Sequence, residues 1–137
     1  MIDQYVHELL ADTKSAEQWA AELGRSERNR AGNGYAIQPR DPQWKEMFLG
    51  VDPRSGAIQY LKMSTVRPDR ALWEELSKLF GKSRRVPAPN PGTSEVLFVV
   101  DLRQYRAVAR VFVTLDKPPE VSGTSVLAVT LRRDPRD

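Results

Sequence analysis

The sequence predicts an α+β fold: one antiparallel sheet of about six strands with the helices packed on one face. Three observations carry this. Apolar residues recur at helical spacing in two segments, and glycines end them at Gly24 and Gly81. Each segment is followed by three strand-like runs. Most of those runs are separated by short clusters of proline, glycine, asparagine and aspartate, the residues of turns. The element order is α(α)βββαβββ, and residues 1–137 make a single domain.

The elements follow in order. Ile2, Tyr5, Val6, Leu9 and Leu10 predict a helix over residues 2–11. Ser15 to Gln18 reads as a capping box, and Ala16, Trp19, Ala20 and Leu23 line the next helical face. Gly24 is its C-cap. Residues 25–34 are polar, end in Gly32-Asn33-Gly34 and read as a loop. Tyr35–Gln38 is a short strand between that loop and Pro39, and its edge could pair with another chain. Trp44–Val51 and Ala57–Val66 form a hairpin around the turn Asp52-Pro53-Arg54-Ser55-Gly56.

The second half repeats the order. Pro68 and Asp69 open a helix through Phe80, with Leu72, Trp73, Leu76, Leu79 and Phe80 as its stripe. Residues 82–93 are basic, then proline-rich, and read as an extended loop. Glu95–Asp101 is apolar on both faces, which predicts a central strand. Residues 102–105 turn the chain into a long strand over 107–115. The last strand is Ser125–Arg133, with Leu127, Val129 and Leu131 inward, and residues 134–137 are an expected frayed tail. Residues 18–24 loosely echo residues 72–76 and Gly81.

Composition narrows the function classes. A chain of 137 residues buries enough surface to fold without a metal or disulfide staple. Cysteine is absent, which excludes disulfides, Cys-based zinc sites and thiol nucleophiles and fits a reducing cytosol. The segment Met1-Ile2-Asp3-Gln4-Tyr5 lacks the basic and apolar regions of a secretory leader, and no run is long enough to span a membrane, so a cytoplasmic location is expected. The net charge of +3 permits an acidic partner without demanding one.

Motifs of catalysis fail at specific positions. His7-Glu8 begins a zinc motif whose second histidine would fall at position 11, which is Ala11; His7 is the single histidine. Gly81-Lys82-Ser83 resembles the end of a phosphate-binding loop, but the required earlier glycine is Leu76, and the segment follows a helix instead of preceding one. Gly32-Asn33-Gly34 opens a strand, unlike a dinucleotide fingerprint. No cofactor and no metal are expected. Glu46, Asp101 and Asp116 leave a carboxylate-dependent hydrolase as an alternative.

Recognition is the leading expectation: a small non-catalytic module acting stoichiometrically on a protein partner, as an immunity protein, chaperone or adaptor does. Tyr, Trp and Arg dominate binding hot spots, which singles out Arg84, Arg85, Trp44, Tyr35, Tyr105 and Arg106. The uncovered sheet face should carry Lys62, Ser64, Arg110 and Thr114. Nucleic-acid binding by the arginine-rich segments around Arg25–Arg30, Lys82–Arg85 and Arg103–Arg110 is the alternative from another class, if these cluster at one end of the sheet. No strand reads as the aromatic-studded basic surface on which bases stack.

Overall fold

Three apolar stripes make three helices, and all three turn to the same side of one sheet. In a computed structural model, which describes residues 2–136, α1 (Ile2–Ala11) buries Ile2, Val6, Leu9 and Leu10. After a four-residue link comes α2 (Ala16–Leu23), whose start is capped by Ser15: its Oγ accepts the Gln18 N–H at 3.1 Å. The third helix, α3 (Arg70–Phe80), is capped by Asp69, whose Oδ1 accepts the Leu72 N–H at 2.9 Å.

The strands are β1 (Gly24–Arg28), β2 (Gly34–Pro39), β3 (Trp44–Val51), β4 (Ile58–Asp69), β5 (Arg84–Val86), β6 (Ser94–Val100), β7 (Ala107–Leu115) and β8 (Val126–Pro135). They form one antiparallel sheet in the order β1-β2-β3-β4-β8-β7-β6-β5. The order is palindromic. Each half is a four-stranded meander, the first preceded by two helices and the second by one, and the last strands of the two halves, β4 and β8, pair at the centre with Met63 opposite Val129. Against β7 and β8 lies α1, against β1, β2 and β3 lies α2, and α3 covers β6 and β8. One core unites them: Trp19, Leu9, Leu61, Met63, Leu76, Phe98, Val111 and Leu131 are all essentially inaccessible.

The α+β class, the single antiparallel sheet and the helices on one face agree with the sequence. The strand count does not: there are eight strands, in the order ααββββαββββ. The two additions, β1 and β5, fall in segments whose polarity reads as loop. Both are edge strands, each with one neighbour, so little burial forces their side chains to alternate. Because β1 covers β2, Tyr35–Gln38 is an inner strand and not an exposed edge.

Three further expectations are corrected. β6 is apolar on both faces yet sits next to the edge; the centre belongs to β4 and β8. Its second apolar face exists because Leu97 pairs with Phe112 on the face away from the helices. In β8, Val126 is buried and Leu127 only half-buried, because a bulge sets Thr114 opposite Ala128 but Leu115 opposite Val126. Finally, the tail is not frayed up to Arg136: Asp134 and Pro135 pair with Val108 and Ala107, and the Arg136 guanidinium donates to the carbonyls of Leu102 and Tyr105. Asp137 lies outside the described residues.

Candidate functional site: the open face of the sheet

Alternation decides which side chains face away from the helices. The ladder registers line them up in rows across the sheet. One row runs Ala36, Phe48, Lys62, Thr130, Phe112, Leu97 and Arg84. The next runs Gly34, Gly50, Tyr60, Arg132, Arg110 and Val99. The third holds Glu46, Ser64, Ala128, Thr114 and Glu95. Lys62, Ser64, Arg110 and Thr114 therefore stand where the sequence places them.

The aromatic residues of these rows lie down on the sheet. A side chain at Gly50 would enter the Tyr60 ring, and one at Gly34 would enter the Phe48 ring, so each ring occupies the room its glycine leaves. Phe48 and Tyr60 stack with centroids 6.1 Å apart and planes 28° from parallel. On the other half, the Arg132 guanidinium sits 5.0 Å from the centre of the Phe112 ring. Leu97 and Val108 are buried without joining the helix-side core, and Val99 is half exposed. Two shallow hollows open here, one of about 400 Å³ lined by Phe48, Tyr60, Lys62 and Glu46, the other of about 310 Å³ lined by Tyr60, Phe112, Thr130 and Arg132.

Charges of both signs are interleaved on this face. Arg110 donates to Asp134 at 2.7 Å and Arg132 donates to the same carboxylate at 2.9 Å. Partial burial by itself pushes the Asp134 carboxyl up, but the bonds from Arg110 and Arg132 outweigh it and hold the pKa below its ordinary 3.8. Its stabilising contribution is therefore whole above 3.8 and falls away as the pH drops through the lowered value. Asp134→Asn is expected to lower the urea midpoint at neutral pH, and the deficit should shrink in a series carried below pH 3.8. A deficit that stays constant down to strongly acid pH would show that the substitution acts through shape and not through charge. Glu95 accepts from Thr114 at 2.9 Å. Among the described residues Lys62, between the two aromatic groups, has no ion-pair partner.

The residues singled out in the sequence are not gathered into one site. Trp44 is 4% exposed and belongs to the core. Tyr35 and Tyr105 are half-buried against it, and the Tyr105 hydroxyl is 2.9 Å from His7 Nδ1. Arg84 and Arg85 are exposed on β5; Arg85 reaches Ser94 at 3.4 Å and Glu120 at 3.8 Å. Arg106 is exposed in the turn before β7. The arginine-rich segments do not cluster: residues 25–30 and 82–85 lie at opposite edges of the sheet. The carboxylates are also apart. Glu46 is on the open face of β3, whereas Asp101 and Asp116 follow β6 and β7, at opposite ends of that ladder. Asp116 is occupied as acceptor of the Ser125 N–H at 2.8 Å, and Asp101 is bridged by Arg136. No group of three metal-ligating side chains forms among the described residues, and no helix there is long and apolar enough to cross a membrane.

Phe48, Tyr60 and Phe112 are the residues the sequence reading missed. Phe112 alternates with Val111 and Val113 in phase with Arg110 and Thr114, which was a usable signal. Phe48 alternates with Met47, Leu49 and Val51, which turn to the core, so its outward side was legible in the same way. Comparison with protein-family models, with curated proteins and with solved structures gives no match.

Proposed function

We propose that this protein is a binding module whose open sheet face holds a protein partner stoichiometrically. The observation that carries the reading is the row Phe48–Lys62–Thr130–Phe112: two aromatic groups flank a lysine on a face that no helix covers. Aromatic rings that lie flat offer contact area at little cost in side-chain entropy, and Lys62 among them, without an ion-pair partner among the described residues, favours a partner whose apolar side chains surround a carboxylate. Glu46, Glu95 and Asp134 among the cations weigh against a polyphosphate backbone, which needs a uniformly basic track. The shallow hollows suit side chains of a larger partner better than an enclosed small molecule.

The test is capture from cells of the source organism by wild type, Lys62→Glu, Phe112→Ser and, as a control on the helical side, Glu17→Gln. One protein retained at moderate salt by wild type and Glu17→Gln, and lost with both face variants at unchanged melting temperature, is the expected result. Retention by all four would remove the open face as the site. Nucleic acid alone, released by salt, would replace the reading with electrostatic binding.

A further inference from the structure

The two edges of the sheet differ in chemistry. β5 has three residues, carries Arg84 and Arg85 and is followed by Pro87, Pro89 and Pro91. Like charges and missing N–H donors protect it against pairing with another strand. β1, with the sequence Gly24-Arg25-Ser26-Glu27-Arg28, has neither a proline nor a single sign of charge.

The hydrogen-bonding phase of β1 is fixed by its ladder to β2. Arg40 N–H donates to the Leu23 carbonyl and Asn29 N–H to the Gly34 carbonyl, both at 2.9 Å. Bonded pairs alternate in an antiparallel ladder, so Arg25 and Glu27 also direct their main-chain groups to Gln38 and Ala36. Gly24, Ser26 and Arg28 direct theirs to the rim. The Gly24 N–H is taken by the Ala20 carbonyl in the helix cap. Both groups of Ser26, both of Arg28 and the Gly24 carbonyl are left for another chain.

We propose that β1 pairs with β1 of a second copy, antiparallel, across a two-fold axis at Ser26. In that register the two Ser26 residues exchange main-chain hydrogen bonds, and each Arg28 N–H meets the Gly24 carbonyl of the other copy. Arg25 then stands opposite Glu27 of the other copy, twice by symmetry, on the open face. Among the described residues neither Arg25 nor Glu27 has an ion-pair partner within the chain. The edge is thus self-complementary in hydrogen bonding and in charge. The sheets of the two copies become continuous with all helices on one side, so the surface around Phe48 and Phe112 stays uncovered and the pairing does not depend on what binds there. A contact through one short strand buries less than a standard interface, so the dimer forms in a concentration-dependent equilibrium.

Sedimentation across a concentration series tests this with the purified protein. Wild type should pass from monomer to dimer. Arg25→Glu and Glu27→Arg, each placing like charges opposite one another twice, should each raise the dissociation constant about tenfold or more. The double variant Arg25→Glu/Glu27→Arg should restore it, because the pairs re-form with their signs exchanged. Ser26→Pro removes a donor that the chain's own ladder does not use, and should leave a monomer. A wild type that is monomeric throughout, or a dimer indifferent to all four variants, overturns the proposal. So does a double variant as weak as the singles, since the register would then be wrong.

Discussion

Phe98→Ala is expected to lower the stability of this protein by about 3–5 kcal/mol, the cost of emptying a large aromatic site in a packed core. Phe98 is 1% exposed on β6. Its ring meets Trp73 at 6.1 Å and Phe80 at 5.7 Å between centroids, both at tilted angles. Those two rings belong to α3, so Phe98 is the side chain on which the third helix rests. Beside it α3 buries Leu72 and Leu76, while Leu79 is 42% exposed. The loss should therefore be local as well as global. Urea unfolding measures the global loss, and hydrogen exchange at the amides of α3 the local one. A loss near 1 kcal/mol with α3 amides unchanged would mean that the cavity collapses and the helix is anchored elsewhere.

The same core explains how much of the fold was legible. Helices and inner strands bury one face each, and burial writes a period into the chain. Ile2, Val6, Leu9 and Leu10 give α1, and the alternation of Ala109, Val111, Val113 and Leu115 gives β7. Edge strands bury little and leave no such period, so Arg25–Arg28 and Arg84–Val86 read as loops. The position of β6 was misread for a related reason. An apolar strand signals two covered faces, but in β6 the second cover is Phe112 and its neighbours on the open side, not a second layer. The candidate site was half legible. Lys62, Ser64, Arg110 and Thr114 were assigned to the uncovered face from alternation alone. That Phe48 and Tyr60 lie flat could not be read, because it depends on glycines in neighbouring strands that only the register brings beneath them. Trp44 illustrates the reverse error: a tryptophan beside a proline-rich turn looks like a contact anchor, yet it begins β3 pointing at the helices.

The second large effect is expected at Gly24, where α2 becomes β1 without a linking residue. The Gly24 N–H closes the helix on the Ala20 carbonyl, while Gly24 is already paired with Pro39 in the sheet. Its φ of 165° is extended backbone open to any residue, so conformational preference does not demand glycine here. Space does: a methyl group on Gly24 would run into the Gln38 carbonyl and lie 3.0 Å from the Arg40 nitrogen. Those are backbone atoms held by the β1–β2 ladder, and neither can swing aside. Gly24→Ala is expected to cost about 3 kcal/mol or more, at or above the upper end for overpacking, by prising β1 from β2. Gly56 supplies the contrast. It has φ 75° in the β3–β4 turn with nothing near the methyl it would gain, so Gly56→Ala should cost only about 1–2 kcal/mol, the penalty of the left-handed conformation. Thermal and urea unfolding of the two variants side by side decide between the causes. If Gly56→Ala proves the worse, backbone conformation and not the closeness of β2 governs the glycines of this chain. A clash confined to the β1–β2 ladder also loosens β1 selectively, so Gly24→Ala should expose its amides to exchange before those of β3 and β4.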